Sequence, residues 1–158
     1  MKICGLLGRM LIHSYSPALH RMLGSYEYRL WEKEPEEAAD WIRNGDWYGM
    51  NVTIPYKKTA ALLCDELSPH AALLGSVNTL LRRPDGSVFG GNTDYDGFRF
   101  LLKSSGLNVS GRKALVLGSG GASVTVQTVR RRPEPSPPSS PAAEATTIRI
   151  WKNTRMPR

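Results

Sequence analysis

Short apolar runs alternate with amphipathic segments along the first 128 residues, and this alternation constrains the fold more than any other feature of the chain. An apolar run with strand character, followed by a segment of helical period, has to cross over and return beside the earlier strand. Repetition of that unit builds a largely parallel sheet with helices against its faces. Strands are expected at Lys2–Leu7, Tyr26–Trp31, Met50–Val52, Val77–Arg82, Ser87–Phe89 and Lys113–Leu117. Helices are expected at Pro17–Gly24, Pro35–Asn44, Tyr56–Leu63, Pro69–Leu74 and Tyr95–Ser105, with another starting at Ser123–Thr128. Pro84-Asp85-Gly86 is a turn sequence, so the two strands around it form a hairpin. The fold class is therefore α/β: a three-layer domain over 1–105 with a mostly parallel sheet and one hairpin. An incomplete Rossmann-like segment follows over 106–128.

At Val129 the composition changes. An arginine run, Arg130–Arg132, leads into prolines at 133, 135, 137, 138 and 141 among serines and alanines, and neither period survives. Residues 129–158 read as a disordered tail. The tail also explains most of the net charge of +7, because it holds seven basic residues against two acidic ones. The body is close to neutral, which argues against a nucleic-acid-binding body. The tail offers only Trp151 for base stacking, so it is a poor nucleic-acid module. No apolar run reaches membrane-spanning length, and Met1-Lys2 leads straight into a strand pattern without a signal peptide. The two cysteines, Cys4 and Cys64, have neither framework nor metal spacing and are expected as buried free thiols. A cytoplasmic protein without membrane or nucleic-acid partners is the expectation.

In α/β sheets, ligands collect at the carboxyl ends of the strands. Ser14 and Ser16 follow the first strand, Thr53 and Lys57 follow the third, and Asn92-Thr93-Asp94 follow the hairpin. Asn78 is expected inside an apolar strand, where an amide needs a partner or a ligand. Singly, these residues have ordinary explanations: Ser16, Thr53 and Asp94 can cap helices, His13 can be a loop histidine, and Asn78 can be a structural amide. Lys57, in the first turn of a helix, opposes the helix dipole at a cost of about 0.3–1 kcal/mol. Together they suit a small anionic substrate rich in hydroxyls, with a lysine–aspartate pair able to move a proton. Further on, Gly118-Ser119-Gly120-Gly121-Ala122 stands between an apolar run and a helix start, the context of a dinucleotide turn. Ser123 occupies the place of that turn's third glycine.

Five segments, in this order, resemble shikimate dehydrogenases: G-R-M-L-I-H-S-Y-S-P over Gly8–Pro17, N-V-T-I-P-Y-K over Asn51–Lys57, G-S-V-N-T-L over Gly75–Leu80, G-N-T-D over Gly91–Asp94 and G-S-G-G-A-S over Gly118–Ser123. The resemblance runs from about Met1 to Thr128. It implies NADP-linked reduction of 3-dehydroshikimate to shikimate, on the route to chorismate and the aromatic amino acids. Residues 1–105 would be the shikimate-binding domain and 106–128 the start of the NADP domain. Carried over, Ser14 and Ser16 would bind the substrate carboxylate, while Thr53, Lys57, Asn78 and Asp94 would contact its ring hydroxyls. Lys57 and Asp94 would be the catalytic pair, and Gly118, Ser119, Gly120, Gly121 and Ala122 would hold the NADP pyrophosphate. Quinate, with one more hydroxyl, would also fit these residues.

Members of the family continue beyond this chain, so the resemblance implies a truncated NADP domain. Read in a shifted frame, Ser139–Glu144 can encode a Ser-Arg-Ser run like the family's adenosine-phosphate loop, which implies that the tail is out of frame. One strand, one glycine turn and one helix do not make a dinucleotide fold. Weak or absent NADP binding and little turnover by this chain are therefore expected, with a shikimate-binding remnant as the alternative.

Overall fold

A computed structural model of the chain describes residues 2–131; the tail expected to be disordered lies outside them from residue 132 onward, as does its shifted frame. The chain divides into two compact units, the first ending at Thr93 and the second beginning at Asp94.

The first unit carries β1 (Ile3–Gly8), α1 (Ser16–Leu23), β2 (Glu27–Glu32), α2 (Pro35–Asn44), β3 (Gly49–Val52), α3 (Lys57–Leu63), β4 (Glu66–Leu67), α4 (Pro69–Leu74), β5 (Thr79–Arg82) and β6 (Val88–Gly91). The six strands form one sheet in the order β2-β1-β3-β5-β6-β4. β1 pairs in parallel with β2 and β3, and β4 with β6, while β5 is antiparallel to both neighbours. Five strands thus point one way and β5 alone runs back, giving the mostly parallel sheet and the hairpin expected from the sequence. β4 was not anticipated, since two residues carry no readable period.

Strand register explains the core. Leu7 stands beside Trp31 on one side and Val52 on the other, and Met50 beside Leu80. These side chains share one face of the sheet and pack with Ala38 and Ile42 of α2, Ala60 of α3 and Ala71 of α4. The opposite face presents Tyr28 and Asn51, and α1 lies against it through His20. Helices on both faces make the three layers.

Helix starts follow the sequence signals with two corrections. α4 is capped as expected, by Ser68 Oγ accepting from the Ala71 amide at 3.2 Å. α2 has a capping box between Glu34 and Glu37, with Pro35 opening its first turn. Ser16, however, does not cap α1. The cap position is Tyr15, it makes no side-chain capping bond, and Ser16 is the first helical residue. Likewise α3 begins at Lys57 with Tyr56 at the cap, so neither Thr53 nor Pro55 belongs to its first turn. The Ile54–Pro55 peptide is cis. Neither hydroxyl, Ser16 nor Thr53, serves its helix as a cap.

Cys4 and Cys64 are free and half-buried rather than fully buried. Cys64 sits at the end of α3 rather than within it, and burial pushes its thiol up to about 11. Among the described residues no helix is long and apolar enough to cross a membrane.

The second unit carries α5 (Asp94–Ser104) and α6 (Gly121–Arg131), which pack against each other. Two expectations fail here. The strand at Lys113–Leu117 does not form, and Leu115 and Leu117 are 68% and 50% exposed. A strand cannot satisfy its backbone alone, and residues 113–117 have no neighbouring strand to pair with among the described residues. Conversely, α6 runs three residues past the expected start of the tail. Val129 is buried because it falls one turn after Val126 on the same helical face.

Candidate functional site

The topology gathers polar residues at one edge of the first unit's sheet. β1, β3 and β6 end there, and the loops that leave them carry Ser14 and Ser16, Thr53 and Lys57, and Asn92 and Thr93. Asn78 reaches the same edge by the opposite route. It is not inside a strand, as expected, but immediately precedes β5, the reversed strand. Its amide donates to the Gly91 carbonyl at 3.0 Å and its carbonyl accepts from the Val52 amide at 2.9 Å, which fixes it between the ends of β3 and β6.

The Asn78 side chain is held from both ends. Its Nδ2 donates to Thr93 Oγ1 at 2.9 Å, and its Oδ1 accepts from the Thr93 amide and from Thr79 Oγ1, each at 3.0 Å. Asn92, buried, donates through Nδ2 to the Ser76 carbonyl at 2.8 Å and ties the two loops together. Thr53 donates its amide to the Leu7 carbonyl at 2.9 Å, and its methyl lies where a Cβ on Gly8 would come within 2.7 Å. Gly8 therefore lets the ends of β1 and β3 close together. Lys57 opens α3, half-buried, and its carbonyl accepts from the Val77 amide at 2.9 Å. Ser14 Oγ accepts from the Ser16 amide at 3.3 Å, so the two serines belong to one tight loop. His13 is exposed in the same loop.

Asp94 is the first residue of α5 and of the second unit, joined to Thr93 by one peptide bond. In that unit Gly118 has φ +125, a conformation that favours glycine, and nothing lies within 4 Å of a Cβ built on Gly120. α6 begins at Gly121. Ser123 is buried with its Oγ donating to the Gly120 carbonyl at 2.7 Å, so it closes the turn from inside. Left-handed Gly118, open space at Gly120 and the first amides of α6 fit a pyrophosphate.

A second set of residues, on the sheet face under α1, was not singled out from the sequence. The Tyr28 hydroxyl donates to Asn51 Oδ1 at 2.8 Å. His20 stacks on the Tyr28 ring, centroids 3.7 Å apart and planes 12° from parallel. Its Nδ1 lies 2.5 Å from the Tyr26 hydroxyl. Burial pushes the Tyr28 hydroxyl up to about 12, the nearby Ser16 side chain offsetting part of the shift. Burial lowers His20, with the nearby Asn51 side chain working the other way. The available signal was Asn51, a residue disfavoured in strands, on the same face of the sheet as Tyr28. Among the described residues no group of acidic, histidine and cysteine side chains could hold a metal ion.

An α/β domain with a mostly parallel sheet, its hydroxyl, amide and ammonium groups collected where five strands end and one begins, defines the class of small-ligand-binding α/β domains. Residues 6–80 match the family model described as the shikimate dehydrogenase substrate binding domain, so this stretch is similar to that domain. It is 38% identical over 135 residues to the NADP⁺ shikimate dehydrogenase of Symbiobacterium thermophilum, covering 79% of this chain and 45% of that protein. The Halorhodospira halophila enzyme is 39% identical over 125 residues, covering 73% of this chain and 46% of that one. Among solved structures, Thermus thermophilus shikimate dehydrogenase in complex with NADP(H) and shikimate superposes with a TM-score of 0.71 at 36% identity. The match covers 83% of this chain and 52% of that one. The Peptoclostridium difficile enzyme gives a TM-score of 0.75 at 34% identity, covering 83% and 51%. The chain spans about half the length of the curated relatives it matches.

Proposed function

We propose that the first unit binds shikimate and 3-dehydroshikimate, and that the chain carries the substrate half of an NADP-linked shikimate dehydrogenase. The observation that carries this reading is the reversal of β5, which brings Asn78 to the edge already holding Ser14, Ser16, Thr53 and Lys57. In this reading the two serine hydroxyls bind the substrate carboxylate. Thr53, Lys57, Asn78 and Asp94 hold the ring hydroxyls, and Asn78 is pre-oriented by its bonds to Thr93 and Thr79. Lys57 and Asp94 are the proton-handling pair: the lysine ammonium faces the reacting oxygen, giving its proton to the alkoxide formed on reduction and taking it back on oxidation. Gly118–Ala122 would hold the NADP pyrophosphate, and the bound dinucleotide supplies or accepts the hydride.

A binding-only role for the isolated chain is the second reading. It is favoured by one observation: residues 113–117, ahead of the glycine turn, form no strand. Thermal melting and calorimetric titration of the 158-residue chain test both readings. Shikimate is expected to raise the melting temperature and saturate one site, because a ligand that binds only the folded state stabilises it by about 2.7 kcal/mol at 100 times its Kd. NADP⁺ is expected to bind weakly or not at all. A chain that ignores shikimate at millimolar concentration would overturn the proposal, and tight NADP⁺ binding would overturn the binding-only role.

A further inference from the structure

The serine loop lacks a brace at its helical end. Tyr15, at the cap position of α1, makes no side-chain capping bond, and of residues 9–15 only Leu11 is buried. The loop is held instead from its middle. The Leu11 amide donates to Glu32 Oε1 at 2.5 Å, across 21 residues of sequence. The Leu11 carbonyl accepts from the Ser14 amide at 2.9 Å, and Ser14 Oγ accepts from the Ser16 amide at 3.3 Å. These bonds run in series from the end of β2 to both serines. Because Ser14 Oγ serves the Ser16 amide as an acceptor, its own proton remains to be given to a ligand. The Leu11 side chain holds the same position from inside, filling the space where a Cβ on Gly8 would come within 2.6 Å of it.

Glu32 is the last residue of β2, and the connection that follows it is tied to both loops of the polar edge. The Lys33 amide donates to the Gly8 carbonyl at 3.1 Å. Tyr56, buried and immediately before Lys57, donates its hydroxyl to the Lys33 carbonyl. Residues 32 and 33 therefore set the serine loop and the start of α3 against one short segment. The Arg9–Glu34 ion pair joins exposed side chains and adds little to this. The Glu32 bond differs, because an anionic oxygen is a strong acceptor for a backbone amide and its donor, Leu11, is buried. A loop fixed before its ligand arrives loses less freedom on binding.

We infer that Glu32 is a positioning residue for the ligand's carboxylate: by accepting from the Leu11 amide it holds Ser14 and Ser16 in the arrangement that receives the anion. The inference rests on the shikimate reading of the site. The test uses the full chain and two ligands: shikimate, and its alcohol analogue with CH₂OH in place of the carboxylate. Glu32→Ala is expected to weaken shikimate binding about tenfold, the size of one hydrogen bond to a charged group. The alcohol, whose bonds to the serines are neutral and weaker, should change by about threefold or less. Glu32→Gln keeps an oxygen that accepts from the Leu11 amide and should restore shikimate binding to within about threefold of wild type. In a Ser14→Ala/Ser16→Ala chain, Glu32→Ala should cost shikimate nothing further.

Equal weakening of both ligands, or additive losses, would assign Glu32 a merely structural role and overturn the inference. A Glu32→Gln variant as weak as Glu32→Ala would make charge rather than the bond the cause, and would overturn it too. So would unchanged or tighter shikimate binding by Glu32→Ala. If Glu32→Ala folds poorly, hydrogen exchange in the wild-type chain decides: the Leu11 amide is expected to be protected before shikimate is added, and exchange at the rate of an unfolded peptide overturns the inference. A wild-type chain that binds neither ligand overturns the shikimate reading itself. Wild-type binding that Ser16→Ala impairs and Glu32→Ala leaves intact overturns only the inference.

Discussion

Lys57→Ala should lower turnover by about 10²–10⁴-fold in a chimera that joins residues 1–128 to the remaining length of the Thermus thermophilus relative, the range lost with a general acid–base group. The readout is NADPH formation from shikimate. The backbone role of Lys57 is unaffected, because its bond to the Val77 amide uses the carbonyl. The substitution therefore removes an ammonium group without loosening the start of α3. Lys57→Arg sharpens the test. A guanidinium keeps the charge and its attraction to substrate oxygens but does not release a proton near neutral pH. Binding should recover and kcat should not. Recovery of both would make Lys57 an electrostatic anchor rather than a proton carrier, and wild-type turnover by Lys57→Ala would remove it from the chemistry. In the 158-residue chain the same alanine variant is read by binding alone, with shikimate affinity expected to fall about tenfold or more.

Gly5→Ala should cost the first unit about 3 kcal/mol, the upper end of the overpacking range. Gly5 lies in β1, the second strand from the sheet edge, on the face that packs against the helices. A Cβ there would come within 2.5 Å of the Arg29 carbonyl in β2 and 2.7 Å of the Trp31 ring. Arg29 O is backbone in the paired strand, so it yields only if β1 and β2 part. Trp31 is wedged among Leu7, Ala38 and Ile42 and cannot swing clear. Urea unfolding followed by tryptophan fluorescence would report the loss. Gly97→Ala is the contrasting case. Gly97 is inside α5 with nothing within 4 Å of its added Cβ, so alanine should stabilise that helix by up to about 1 kcal/mol. A Gly5→Ala variant as stable as wild type would mean that β1 and β2 are less tightly held than their register implies.

Most of the first unit was legible because its periods are clean. β1, β2, β3 and the hairpin emerged from apolar runs and from the turn at Pro84-Asp85-Gly86, and the Ser68-Pro69 pair marked α4. The errors have physical causes. Val77 and Asn78 read as strand because Val77, Thr79, Leu80 and Leu81 all favour a strand, yet the Asn78 side chain is spent on the Thr93 loop and the ladder begins one residue later. Leu115 and Leu117 carry a strand pattern, but a pattern becomes a strand only beside another strand. Within the candidate site, the serines, Thr53 and Lys57 were legible because they follow strand ends, and Asn78 because an amide in an apolar run stands out. Tyr28 and His20 were not, since an aromatic in a strand and a histidine in a helix look like packing until their register is known. α1 offered a false capping signal at Ser16-Pro17. The proline did open the helix, but the serine is itself the first helical residue and the cap position falls to Tyr15.

The reversed strand also gives the protein a remote handle. Because β5 starts at the ligand edge and runs away from it, the hairpin turn lies at the far end of the sheet, four strand residues or about 13 Å distant. Asp85 closes that turn by itself, its Oδ1 accepting from the Ser87 amide at 2.9 Å and from Ser87 Oγ at 2.7 Å, with Gly86 at φ +87. A dye, a surface-coupling tag or a short peptide inserted there would leave the polar edge unobstructed. Immobilised through that turn, the chain would present the edge that carries Ser14, Thr53, Lys57 and Asn78 toward solution.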